Sequence, residues 1–462
     1  MKCGTLPIVF CAIMLLAGCM KVGPDFERPD MDSQVRESYQ HDISSAGQKQ
    51  LPDQWWTAFN DPGLNQLVEN VLAGNLDIRK ALSVITELQS YFVQSRADRF
   101  PTISLQGEAK RQRILLGIES DVYNLSLPAA FELDLWGRLA RTEESALANL
   151  TKTQENARTI AQTIVSETVT LYFQIESLER RIQITRQSID NYRRNLSFIE
   201  RRYKGGLISI LDLKQARRAL TRTEATLPAL MQDIGIKQQK LAVLSGQYPC
   251  TRSARTQPEN YFTLPAPVPA GLPSDLLLRR SDIRAAEANL MALNARIGVA
   301  KASRFPRITL TGTYGYSSNE LDRLFIPGHS LWNAAFGVIA PIFNAGSLKA
   351  GQRAAEAQFQ QGMADYAKTV LTAFSEVEGA LLTRKKQMER RSAMLDFLAE
   401  ARATQQVAEN RYARGLVTCL TVLDAQQTRF QAEDSLVLVE LAILSNRVTL
   451  HRALGGGWGE PE

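Results

Sequence analysis

Cysteine and histidine are scarce in this 462-residue chain, which carries five of the first and three of the second. Cys3 and Cys11 fall in a leader, leaving Cys19, Cys250 and Cys419 in the processed chain, so no disulfide framework is implied. His41, His329 and His451 are isolated and the cysteines lack metal-ligand spacing, which leaves a zinc site or a Cys/His nucleophile without support, and no enzyme is expected. There is no phosphate-cradling glycine loop. A balance of 54 Lys and Arg against 48 Asp and Glu leaves a formal charge of only +6, with no nucleic-acid footprint. The apolar stretch 6–17 falls short of the roughly 20 residues a membrane helix needs. What the chain does have is a 44% apolar fraction, enough for a sizeable packed core.

The first residues speak to compartment. Lys2 gives a short positive region, residues 8–16 an apolar run, and Leu16-Ala17-Gly18-Cys19 a small-residue box ending in cysteine. That box resembles the bacterial lipobox, in which the cysteine thiolate accepts a diacylglycerol and becomes the acylated N-terminus. Cys19 is then the anchor, with a covalent lipid and no other cofactor, and Met20 rather than Asp after it resembles the outer-membrane sorting pattern.

Proline is absent from residues 138–204 and again from 348–413, and each stretch carries a coiled-coil seam. In the first the seam runs through Ile164, Leu171, Ile175, Leu178, Ile182, Ile189, Tyr192, Leu196, Ile199 and Tyr203; in the second through Phe374, Val377, Leu381, Met388, Leu395 and Leu398. Helices of that length extend about 100 Å. Each stops at a glycine, Gly206 or Gly415, and a returning helix opens with Ser209-x-x-Asp212 or Thr418-x-x-Thr421, hydroxyls where an N-cap belongs. Other landmarks also recur: Asp77-Ile78-Arg79 leads to Phe100-Pro101, and Asp282-Ile283-Arg284 leads to Phe305-Pro306 at the same spacing. The chain therefore reads as an internal twofold repeat, divided at a proline-rich crossover. The expected boundaries are 1–18 signal, 19–63 anchored N-terminal segment, 64–247 first repeat, 248–274 crossover, 275–454 second repeat and 455–462 tail.

After each Phe-Pro the hydrophobic period falls to two. Ile103, Leu105, Gly107 and Ala109 alternate with polar residues, as do Ile308, Leu310, Gly312, Tyr314 and Tyr316. Second strands carry Tyr123, Leu125, Leu127, Ala129, Phe131 and Leu133, and Trp332, Ala334, Phe336, Val338 and Ala340. Such ten-residue alternation is the signature of transmembrane β-strands, and also of a soluble sheet with one solvated face. Four strands cannot close a membrane barrel, which starts at about eight, so a membrane reading requires several copies in a ring.

Nearly the whole chain resembles the TolC-type outer-membrane efflux channels, in the lipoprotein branch with NodT-like and OprM-like proteins. The likeness rests on Val22-Gly23-Pro24-Asp25-Phe26 with Pro29, on Trp55-Trp56 with Phe59, Asp61, Pro62 and Leu64, and on 271–277 followed by Arg279-Arg280 and Asp282-Ile283-Arg284. Ser281 stands where the family usually has proline. The resemblance implies a mixed α and β fold: long helical hairpins forming a periplasmic α-barrel, and four membrane strands per protomer completing a 12-stranded trimeric β-barrel. It implies a homotrimer in the outer membrane, a periplasmic adaptor and an inner-membrane pump of the resistance-nodulation-division class as partners, and passive conduction of drugs or other small molecules. The helical tips Gly206-Leu207 and Gly415-Leu416 are the implied adaptor-docking points. Asp424, in Leu423-Asp424-Ala425-Gln426 and too deep in its helix for capping, is the implied carboxylate of a cation-favouring aperture, although an exposed helix acid is an equally open reading. Some family members carry a second acid where this chain has Thr421, so a double acidic ring is not expected. The nearest rival is a periplasmic adaptor lipoprotein, for which one hairpin rather than two, and no amphipathic strands, would be expected.

Overall fold

The computed structural model describes residues 21–30, 39–40, 54–113, 119–249, 262–264, 268 and 273–456. Cys19, the signal, Cys250 and most of the crossover lie outside them. In chain order the elements are α1 (Pro62–Gly74), α2 (Leu76–Ala97), β1 (Thr102–Ile103), β2 (Gln106–Arg113), β3 (Glu119–Leu133), α3 (Arg138–Lys204), α4 (Ile210–Glu224), α5 (Leu227–Leu244), α6 (Pro273–Arg279), α7 (Ser281–Ala302), β4 (Arg307–Ser318), β5 (Ser330–Ile339), α8 (Ser347–Ala413) and α9 (Cys419–Ala453). Mixed α and β is thus the observed class. Among the described residues no helix is long and apolar enough to cross a membrane.

The chain forms two compact units, each assembled from three stretches: 1–31, 82–156 and 282–369 in the first; 32–81, 157–281 and 370–462 in the second. The first unit holds one antiparallel sheet, in which β1 and β2 both pair with β3, β3 with β4, and β4 with β5. Its register puts Leu125 opposite both Gly107 and Tyr316, Phe131 opposite Leu310, and Leu310 opposite Phe336. One face therefore gathers the apolar set and the other Glu108, Asn124, Ser126, Thr309, Thr311 and Thr313, since a strand's side chains alternate between faces. The apolar face is not covered: Ile103, Trp332, Phe336 and Val338 are all more than half exposed. At the sheet's base Trp136 stacks on Phe305 with ring centroids 4.8 Å apart and donates from Nε1 to the Pro306 carbonyl at 2.8 Å, tying the end of β3 to the start of β4.

A strap of residues 21–30 is clasped onto the same unit. The Val22 amide donates to the Trp136 carbonyl at 3.1 Å, and Asn294 Nδ2 to that of Pro24 at 2.9 Å. Arg141, 1% exposed, donates to the Gly23 carbonyl and the Asp25 carboxylate, and pairs with Glu144. Lys21 also pairs with Glu144, and Arg28 with Glu287.

In the second unit a core of Trp55, Trp56, Leu64, Val68, Val165, Val169, Phe173 and Leu444 gathers around α1, α3 and α9. Asp61 caps α1 through the amides of Gly63 and Leu64 and accepts from the Tyr172 hydroxyl at 2.8 Å. Trp55 stacks on His451 with ring centroids 5.1 Å apart. Ser281 shares a hydrogen bond of 2.8 Å with Thr159 and donates to Gln162, contacts that proline would forfeit. Most of the seam is buried as expected, but Tyr203 and Leu395 are exposed, although Ile199 and Leu398 close by on the same helices are buried. The first returning helix is also not continuous: α4 ends at Glu224 and α5 restarts with Pro228 in its first turn, whereas α9 runs unbroken for 35 residues.

Candidate functional site

Two helix-turn-helix tips and the acid beside one of them make up the candidate site, and all lie in the second unit. Gly206 has φ +71° and Gly415 φ +74°, the left-handed region that a Cβ disfavours. At the first tip the Gly206 amide donates to the Tyr203 carbonyl and the Leu207 amide to that of Arg202, both at 2.9 Å. At the second, Gly415 and Leu416 donate to Tyr412 and Arg411 at 3.0 and 2.9 Å. Each is the double-bonded helix terminus expected from an Arg-Tyr-x-x-Gly-Leu pattern. Leu207 and Leu416 are 69% and 64% exposed, and neighbouring Ile210, Leu211 and Leu420 are exposed too, so each tip presents apolar side chains to its surroundings.

The tips differ at their caps. Ser209 and Asp212 form a reciprocal capping box: the Ser209 hydroxyl accepts from the Asp212 amide, while the Asp212 carboxylate accepts from the Ser209 amide and hydroxyl. Thr418 occupies the corresponding cap position without a side-chain bond to the backbone. It meets Thr421 hydroxyl to hydroxyl at 3.2 Å instead, because Thr421 has no carboxylate to reach back. Beneath the tips Ile189, Tyr192, Ile199, Leu213, Ala216, Leu220, Cys419 and Leu423 pack as one cluster from α3, α4 and α9. Burial, reinforced by the nearby Asp212, pushes the Cys419 thiol up to about 11. Cys419 is a free, buried thiol and acts at the tip as a small apolar filler.

Asp424 sits in the second turn of α9 and is exposed, flanked by buried Leu423 and Ala425. Among the described residues it has no ion pair, so its charge is not spent inside the protomer. One turn deeper is a polar ladder that sequence pattern does not single out. Gln405 and Gln426 both donate to Glu409, at 2.6 and 3.0 Å; Arg429 donates to Gln405 and Glu433, and Arg402 to Glu433. These bonds fasten α8 to α9. With Gln187, Ser188, Asn191 and Tyr192 of α3 the ladder lines a small polar cleft. Its only sequence signal is glutamine and arginine where a seam would continue apolar. Among the described residues no group of His, Cys, Asp and Glu could hold a metal ion.

Comparison with known proteins gives a consistent result. A family model described as outer membrane efflux protein matches residues 67–247 and 272–456. The chain is 34% identical over 474 residues to a solvent efflux pump outer membrane protein, SrpC, of Pseudomonas putida, covering 99% of each chain. It is 32% identical over 459 residues to the cation efflux system protein CusC of Escherichia coli O6:H1, again covering 99% of each. The solved outer-membrane channel OprN superposes with a TM-score of 0.89 at 30% identity, over 95% of this chain and 99% of the other.

Proposed function

The chain belongs to the outer membrane efflux protein family and is an outer-membrane efflux channel rather than an enzyme, and from that premise we propose that three copies close one conduit. Each copy contributes four strand paths to a twelve-stranded barrel and two long helical hairpins to a periplasmic tube. The observation that carries this reading is the sheet of the first unit, with an uncovered apolar face, a polar face, and edges at β1/β2 and β5 that pair with nothing among the described residues. From Tyr123 to Leu133 the apolar band follows β3 for about 34 Å, which at a strand tilt of about 40° spans about 26 Å, the height of an outer-membrane barrel's apolar belt. Unpaired backbone at either edge cannot face lipid, so each edge must meet a neighbour's.

Cys19 is the acylated anchor in this reading. Val22 lies three residues on from it, a reach of about 10 Å, and Val22 is bonded to Trp136 at the base of the sheet. The lipid would therefore enter the membrane where the apolar band begins. Gly206-Leu207 and Gly415-Leu416 dock the periplasmic adaptor through their exposed leucines, and the adaptor connects the conduit to an inner-membrane pump of the resistance-nodulation-division class. Transport through the conduit is passive.

Asp424, exposed and unpaired near the tip, supplies a ring of three carboxylates that favours cations. The test is single-channel conductance of the acylated protein in a planar bilayer under a salt gradient, wild type against Asp424→Ala. Cation preference that falls in the variant supports the assignment. Preference unchanged by the substitution removes Asp424 from the constriction, and a protein that never inserts overturns the channel.

A further inference from the structure

The two tips share a fold but not a charge. Residues 180–222 carry twelve Lys and Arg against three Asp and Glu, whereas the matching stretch 389–431 carries six against five. Both make a helix, a glycine turn and a returning helix, so the fold does not require the excess. It exceeds the formal charge of the whole chain, which is +6.

The excess is also ordered. On α3, Arg186, Arg193, Arg194, Arg201 and Lys204 are exposed, while Ile189, Tyr192 and Ile199 turn inward. Arg186 and Arg193 are seven residues apart, as are Arg194 and Arg201, which lines them along one side of the helix. On α4, Lys214, Arg217, Arg218 and Arg222 form the exposed stripe at spacings of three and four, with Leu213, Ala216 and Leu220 inward. Two ion pairs bind the stripes side by side, Arg193 to Glu224 and Arg217 to Glu200, each at 2.8 Å. They take up the nearby acids. Among the described residues no carboxylate lies within ion-pair distance of Arg186, Lys204, Lys214, Arg218 or Arg222. Unneutralised cations at this density repel one another and give the tip no packing in return, whereas a complementary surface would be steered to them and held in register.

We propose that this flank of the first hairpin, about 27 Å long from Arg186 to Lys204, is the seat of an acidic helical partner: the periplasmic adaptor, presenting Asp and Glu at seven-residue spacing. The seven-residue recurrence matches a helix laid alongside, which an unstructured polyanion does not need. The inference rests on the channel reading and adds to it which hairpin is preferred and what chemistry the partner must carry. The second hairpin, nearly neutral in the same span, meets the partner through the apolar tip alone.

The test places a photo-reactive side chain at Ser197 or Thr221, exposed positions inside the stripes, in the full-length channel in its native host, with adducts identified by peptide sequencing. Adducts are expected on a periplasmic helical hairpin whose contacting face carries an excess of Asp and Glu. Their yield should fall about tenfold in the variant Arg186→Gln/Lys214→Gln/Arg218→Gln/Arg222→Gln and change less than about twofold in Arg402→Gln/Arg411→Gln/Arg414→Gln on the other hairpin. Adducts only to a second copy of the channel, to cell-wall material or to a hairpin with no acidic excess overturn the proposal, as does a yield that survives neutralisation. Conductance of the wild type, measured alongside, tests the channel reading separately.

Discussion

Gly298→Ala tests the clasp that holds the N-terminal strap. A Cβ on Gly298 would lie 2.8 to 2.9 Å from Cγ, Cδ and Nε of Arg141, and one on Gly23 would lie 2.6 Å from Gly298 Cα, so strap, arginine and helix α7 touch with no spare room. Arg141 cannot swing aside freely: its guanidinium is held by the Gly23 carbonyl, Asp25 and Glu144, and the residue is almost fully buried. Relief requires a shift of about half an ångström or release of the strap, and overpacking of this kind costs about 1 to 3 kcal/mol. Charged to the strap alone, that raises its opening equilibrium about 5- to 150-fold. The reporter is hydrogen exchange at the Val22 amide, which donates to Trp136. Faster exchange there, with Leu310 and Phe336 in the sheet unchanged, is the expected result. Protection at Val22 equal to wild type would refute the clasp, and loss spread evenly through the first unit would show that Arg141 supports the helices instead.

Burial, with Arg447 adding to it, holds His451 down to about 3, so between that value and its ordinary 6.5 the unfolded chain binds a proton that the folded chain does not. Stability is complete above about pH 6.5 and declines as the pH falls, by about 2 kcal/mol at pH 5, and thermal melts of His451→Phe should show a shallower acid slope than wild type. Asp212→Ala removes a capping box and should lower stability by about 1 kcal/mol in denaturant melts, while Thr421→Ala at the matching position should change it by less than about half that. The buried Cys419 thiol should resist maleimide labelling at neutral pH until the tip is unfolded; rapid labelling of the folded protein would contradict its packing.

The long helices were legible because nothing interrupts them: residues 138–204 lack proline, carry a continuous seam, and end at a glycine that needs positive φ. The strands were legible from alternation alone, and the register confirms that the alternating sets occupy opposite faces. Local pattern could not say that the Thr418 hydroxyl would leave its cap unmade, since a threonine fits the position by type and fails by its partner. The break between α4 and α5 had a signal, Pro228, whose effect depends on whether the helix restarts around it. Arg141 reads in sequence as one more cation on a solvated helix face, pairing with Glu144 three residues on. Only the fold brings Gly23, Asp25 and Gly298 to it. The Gln405, Glu409, Gln426 and Arg429 ladder was hidden for the same reason, because its bonds join helices whose relative register the sequence does not state.

The central claim is that the open edges of the sheet close on neighbouring copies, and disulfide trapping across those edges tests it most directly. In a background of Cys250→Ser and Cys419→Ala, single cysteines at Gln106, Glu108 or Lys110 on the β2 edge are combined in turn with single cysteines at Asn333, Ala335 or Gly337 on the β5 edge, all on the polar face. Oxidation in isolated outer membranes should give, for the pair in register, a covalent ladder that ends at three chains. Monomers at every pair, or a ladder that continues past three, would contradict closure of twelve strands from three copies.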